Sequence, residues 1–144
     1  SGQVKITELG GKLTVNLSNA ILFDSGSYAL RAEGKAALVK VAGVLATVTD
    51  RDLRVEGHTD DVPVRGAASY ADNWALSALR ASTVVSLLVT SGVGPKNILA
   101  VGYGEHHPLV PNDGPEGRAA NRRTEIVLAP RLGQLGSVEV APEE

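Results

Sequence analysis

Leu53-Arg54-Val55-Glu56-Gly57-His58 alternates apolar or small residues with polar ones, and the alternation breaks off at Thr59-Asp60. A period of two sends successive side chains to opposite faces of a strand, so this strand has one apolar face and one polar face. Thirteen residues past Asp60 an apolar-periodic segment begins at Asn73 and runs to about Thr90, with Ala81, Val84, Val85 and Leu88 on one stripe. That spacing predicts a helix with a single buried side. A half-wet strand followed by a one-sided helix constrains the fold strongly, because the helix stripe has to cover the apolar strand face. A doubly wound parallel sheet, buried on both faces, would need continuously apolar strands. The predicted class is therefore α/β, an α+β sandwich with a mixed or antiparallel sheet covered on one face by helices.

The remaining patterns fit this layout. Val4-Lys5-Ile6-Thr7 and Leu13-Thr14-Val15-Asn16-Leu17, on either side of Gly10-Gly11, read as a strand pair. Leu30, Ala37, Leu38, Val41, Val44, Leu45 and Val48 recur at helical steps and predict a helix over 29–49. Residues 61–72 hold Pro63 and Gly66, show no period, and read as a long loop; Asp72 or Asn73 caps the helix that follows. Ile98 to Val101 is a short strand, Pro115 and Glu116 open a short helix, and Thr124 to Leu128 is the last strand. Leu99 and Val101 are expected in the core. The predicted organisation is an N-terminal extension or extra strand over 1–12, one domain over 13–129, and a flexible tail over 130–144.

Sixteen acidic against fourteen basic residues give a net charge of −2, which leaves no broad positive field for nucleic acid. The longest apolar run, 39–48, contains Lys40 and Gly43 and falls short of the roughly 20 residues that span a bilayer. The first residue is not Met and no signal-like segment follows, so the expectation is an excised or processed piece, tied to a membrane only through a segment absent from this chain. With no cysteine, disulfides, thiol catalysis and thiolate metal sites are excluded.

Candidate chemistry narrows to one constellation. His58, Asp60, Asp61, His106 and His107 offer ligand atoms, but spacing alone gives no closed metal geometry; a strand-end His58 bonded to a neighbouring loop is the simpler reading. Ser77 lies inside a helix without the sharp elbow that exposes a nucleophile. Gly102-Tyr103-Gly104-Glu105 lacks the glycine and lysine of a phosphate loop. No catalytic residue, metal or cofactor is expected. Asp60 at a strand end and Arg80 on the following helix remain. A carboxylate receives an ammonium group and a guanidinium clamps a carboxylate through two parallel bonds, so the pair suits a zwitterionic ligand. An internal Asp60–Arg80 salt bridge is the alternative. Arg122 and Arg123 add little by themselves, since one of two adjacent arginines on a strand normally faces solvent.

Several ordered words carry a resemblance: Phe23-Asp24-Ser25-Gly26-Ser27, Val55-Glu56-Gly57-His58-Thr59-Asp60, Asp61-Val62-Pro63, Asn73-Trp74-Ala75-Leu76-Ser77 leading to Arg80-Ala81, Gly102-Tyr103-Gly104-Glu105, and Asn112 through Arg118 followed by Asn121-Arg122-Arg123. Over about residues 13–129 the chain resembles the OmpA C-terminal-like peptidoglycan-binding domain family, most nearly its flagellar stator MotB branch. The resemblance implies a β-α-β-α-β-α-β order over a mixed sheet, a periplasmic location, and non-covalent binding of peptidoglycan through the diaminopimelate residue of its stem peptide. It assigns the ammonium of diaminopimelate to Asp60 and a carboxylate to Arg80. Asp24, Thr59, Asn73, Leu76 and Ser77 would line or brace the pocket, and Arg122 would support it from the last strand. Related domains often form homodimers, so a scaffold for dimerisation or partner docking is the competing function. Hydrolysis of the wall by His58 is the weaker, enzymatic one.

Overall fold

In the computed structural model, which describes residues 4–9, 12–66 and 68–130, the two N-terminal runs pair antiparallel as β1 (Val4–Leu9) and β2 (Lys12–Ser18). The glycine pair between them lies outside the described residues. There follow α1 (Asn19–Leu22), α2 (Ala32–Leu45), β3 (Arg51–His58), α3 (Asn73–Thr90), a 3-10 turn (Pro95–Asn97), β4 (Ile98–Gly102), α4 (Pro115–Asn121) and β5 (Arg123–Pro130). The sheet runs β1-β2-β5-β3-β4. β5 is antiparallel to both β2 and β3, while β4 is parallel to β3. The sheet is thus mixed and the order from β2 onward is the expected one, with β1 as added edge material.

One face of the sheet carries the core. Val15 and Leu17 of β2, Leu53 and Val55 of β3, and Ile126 and Leu128 of β5 pack with Leu38, Ala42 and Leu45 of α2 and Ala81, Val84 and Leu88 of α3. Helix α3 begins where the sequence predicts. Asp72 is extended, with φ −158°, and its carboxylate accepts the Ala75 N–H at 2.8 Å, satisfying one of the open amides of the first turn. Asp72→Ala is expected to cost about 1 kcal/mol, measured as a lower urea midpoint at unchanged slope.

Two expectations need correction, and one short helix stands beside them. Helix α2 is shorter than 29–49, because Leu30 makes an isolated antiparallel bridge with Phe23 and the Arg31 N–H bonds to Leu22 O at 2.8 Å, holding 29–31 extended. Helix α1 carries no periodic signal: its four residues are too few for one, and its one local sign is the Ser18 hydroxyl accepting from Ala20 N at 3.2 Å. Leu99 is not core. It registers with Arg54 on the sheet face opposite the core and is 48% exposed, and Val101, in register with Glu56, is half-buried. Of the tail expected over 130–144, Pro130 is the last residue of β5 and residues 131–144 lie outside the described residues. Among the described residues no helix is long and apolar enough to cross a membrane.

Candidate functional site

Asp60 sits just past the end of β3, and the chain there is fixed from several sides. The Thr59 N–H donates to Gly104 O at 2.9 Å, and the Thr59 hydroxyl donates to Asp60 O at 2.8 Å. Asn73, the first residue of α3, donates its amide to Val62 O at 3.0 Å and to Asp60 O at 3.4 Å. The carboxylate accepts the Val62 N–H on Oδ1 at 3.0 Å and the Arg122 Nη1 on Oδ2 at 2.6 Å. Each oxygen keeps a second lone-pair direction for another donor. Asp60 is therefore an oriented anion at the rim of the sheet.

Arg80 lies two turns into α3 and is 5% exposed. Its Nε donates to Ser27 O at 2.8 Å and its Nη2 to Asp24 O at 3.3 Å, with the guanidinium 5.0 Å from the centre of the Phe23 ring. Burial lowers its pKa, yet an arginine keeps its proton in a protein. Among the described residues no carboxylate lies within salt-bridge distance of it. Two carbonyl dipoles and a ring face are its direct contacts, and the more distant Asp60 and Tyr70 offset the buried charge only through space.

Asp60 and Arg80 both line a cavity of about 610 Å³. Asp24, Thr59, Asn73, Leu76 and Arg122 line it as well, so the sequence-derived set converges. Ser77 does not: it is 1% exposed, and its hydroxyl donates to Trp74 O and accepts the Gly104 N–H at 2.9 Å, bracing α3 against the turn after β4. Asp24 is more exposed and lies 3.5 Å from Arg31 Nε. The internal ion pair of the site is Asp60 with Arg122, not Asp60 with Arg80, so Arg122 does more than its place beside Arg123 suggests. Asn19, Phe23, Arg65 and Tyr70 line the cavity unforeseen. Tyr70 donates to Gly26 O at 2.6 Å, tying the 61–72 loop to the 24–27 turn across 44 residues. Nothing periodic marks that tyrosine in the sequence.

His58 belongs to the opposite sheet face. Its Nε2 lies 3.4 Å from Glu56 and 3.3 Å from Glu125, carboxylates on strands and not on a loop, while its ring stacks on Tyr103 of the turn after β4 at 5.0 Å. Glu56 and His58 are both buried, so the polar face of β3 is less wet than its alternation implies. Asp61, His106 and His107 do not join a metal set with it. Glu56, His58 and Glu125 do place ligand atoms within 4.8 Å of one another. Arg54 at 2.5 Å from Glu56 and Arg123 at 3.5 Å from Glu125 already neutralise the two carboxylates, so a divalent ion would leave surplus buried charge.

The cluster does make stability depend on pH. Burial pulls the His58 pKa down, but the bonds to Glu125 and Glu56 outweigh it and the net shift is upward. For Glu56 burial pushes up and the bonds from His58 and Arg54 outweigh it; for Glu125 the His58 bond leads, and both carboxyls are held below their ordinary range. The histidine contribution is full below about 6.5 and is lost as pH rises through the raised folded value; the carboxylate contributions are full above about 4.3 and are lost as pH falls. The urea midpoint is expected to decline from pH 6 towards pH 8, and His58→Gln should flatten that decline.

Comparison with known proteins gives a consistent picture. The OmpA family model matches residues 22–122. Motility protein B of Bacillus subtilis (strain 168) is 33% identical over 130 residues, covering 90% of this chain and 49% of that protein. The peptidoglycan-associated lipoprotein of Rhizobium meliloti (strain 1021) is 35% identical over 115 residues, covering 80% of this chain and 62% of that protein. A putative MotB-like protein from Desulfovibrio vulgaris superposes with a TM-score of 0.85 at 32% identity, covering 90% of this chain and 83% of that one. The cell wall anchor of the T6SS from Pseudomonas aeruginosa gives 0.82 at 31% identity, covering 90% of each chain. The periplasmic domain of Helicobacter pylori MotB gives 0.83 at 25% identity, covering 92% and 82%. The chain spans about half the length of the first curated relatives it matches.

Proposed function

The chain belongs to the OmpA family, in its MotB-like branch, and from that premise we propose that it binds peptidoglycan non-covalently and anchors a bacterial envelope assembly to the cell wall. Membership of this family makes the domain a binding module, not an enzyme. The ligand is the diaminopimelate residue of the stem peptide, whose distal centre carries an ammonium and a carboxylate on one carbon. Asp60 receives the ammonium and Arg80 the carboxylate. Arg122 and the Val62 N–H hold Asp60 in place, and Thr59, Asn73, Leu76 and Asp24 shape the walls. The setting is the periplasm, with the full-length protein tied to a membrane.

One observation carries the reading: a buried guanidinium without a carboxylate partner shares a cavity with an oriented carboxylate. Binding a zwitterion there gives Arg80 the counter-charge it lacks and adds a second cation to Asp60 beside Arg122, in a partly desolvated site where charge-assisted bonds are strongest. The names of relatives support the assignment, since one is a peptidoglycan-associated lipoprotein and another a cell wall anchor. The test is co-sedimentation with purified diaminopimelate-type sacculi. The domain is expected in the pellet and to be displaced by excess free stem tripeptide; a domain that stays in the supernatant contradicts the proposal.

A further inference from the structure

We infer that the cavity selects stem peptides whose diaminopimelate carboxylate is free and discriminates against those in which it is amidated. This rests on the function proposed above and concerns the same site.

Five charged side chains line the cavity: Asp24, Asp60, Arg65, Arg80 and Arg122. Both carboxylates are already answered, Asp60 by Arg122 at 2.6 Å and Asp24 by Arg31 at 3.5 Å. Among the described residues, neither Arg80 nor Arg65 has a carboxylate within salt-bridge distance. The chain as a whole carries a net charge of −2, so this positive surplus is a local property of the site. A ligand that brought only an ammonium would leave the surplus in place or enlarge it. One that brings a carboxylate to Arg80 neutralises the buried member of the pair.

Hydrogen-bond geometry sharpens the selection. The Arg80 Nε and one Nη2 hydrogen are committed to Ser27 O and Asp24 O. That leaves the Nη1 hydrogens and one on Nη2, all donors. A carboxylate offers two acceptor oxygens to such a fork. A carboxamide offers one, sets an NH2 group against the other donors, and brings no charge. Arg80 is buried at 5% exposure, so solvent does little to make up the mismatch, and an unmet buried partner costs more than the bond itself is worth.

The experiment titrates the intact domain calorimetrically with three synthetic tripeptides at about 0.15 M salt. These are L-Ala-γ-D-Glu-meso-diaminopimelate, the same peptide with the distal diaminopimelate carboxylate amidated, and the same peptide with the D-Glu α-carboxylate amidated instead. The two amidated peptides lose the same unit of charge and differ only in where. Amidation of diaminopimelate is expected to weaken binding about ten- to a hundredfold, and amidation of D-Glu by much less. In Arg80→Gln the first two peptides should bind equally weakly; if that variant does not fold, the wild-type comparison decides alone. Equal affinity of the wild type for the first two peptides, or an equal loss with either amide, overturns the inference while leaving wall binding standing. Failure of all three to bind overturns the proposed function itself.

Discussion

Arg80→Ala is expected to release the domain from diaminopimelate-type peptidoglycan. Deleting one partner of a buried, hydrogen-bonded charge pair typically costs about 2 to 5 kcal/mol, which is a loss of roughly thirtyfold or more in affinity. Here the loss comes from the ligand side, since the carboxylate would enter the cavity and meet an alanine. The substitution also strips the Ser27 and Asp24 carbonyls of a donor and uncovers the Phe23 ring, so folding has to be measured separately. Arg80→Lys gives the control: it keeps the charge but not the planar fork, and should retain a measurable fraction of the binding. If Arg80→Ala sediments with sacculi as the wild type does, the assigned site is wrong.

Gly57→Ala is expected to destabilise the domain by about 3 kcal/mol, the upper part of the usual range for overpacking. A β-carbon at Gly57 would run into Ser77 O and stand 2.9 Å from Ser77 C, and one at Gly102 would stand 2.6 Å from Ala78 N. Those are backbone atoms, so no side chain can swing aside; α3 has to move off the sheet. Because α3 carries Asn73 and Arg80 while β3 leads directly to Asp60, the same displacement pulls the two charges of the site out of register. Stability and binding should fall together. Gly43 of α2 supplies the contrast, since a β-carbon there would meet nothing within 4 Å. Gly43→Ala should stabilise by about 0.5 to 1 kcal/mol and leave binding unchanged. A Gly57→Ala domain as stable as the wild type would contradict the close packing of α3 on β3.

How much could be read from the residues depends on how local each feature is. Helix α3 is long, periodic and capped by Asp72, so both ends are written in its own sequence. β3 declares its period and its end. The exposure of Leu99 could not be read, because its face is set by register with Arg54 on a strand 45 residues earlier in the chain, and two apolar residues flanking an alanine look like core. Helix α1 is too short to show any pattern. At the site, Asp60 and Arg80 stand out because each is a charge on a rigid element, but their ligand roles come from the family resemblance. The Asp60–Arg122 pair spans 62 residues. It exists because β5 inserts between β2 and β3, a topological fact that no local pattern states. Tyr70 and Arg65 come from a loop without periodicity, and only the fold brings them to the cavity.

A crystal structure of the domain with L-Ala-γ-D-Glu-meso-diaminopimelate bound would decide whether Asp60 and Arg80 form a receptor for a zwitterion. The distal ammonium is expected within hydrogen-bond distance of the Asp60 carboxylate, the carboxylate of the same centre on the free donors of Arg80, and Arg122 still bonded to Asp60. A peptide seated outside this cavity, or one inside it with neither charge on Asp60 or Arg80, would contradict that assignment.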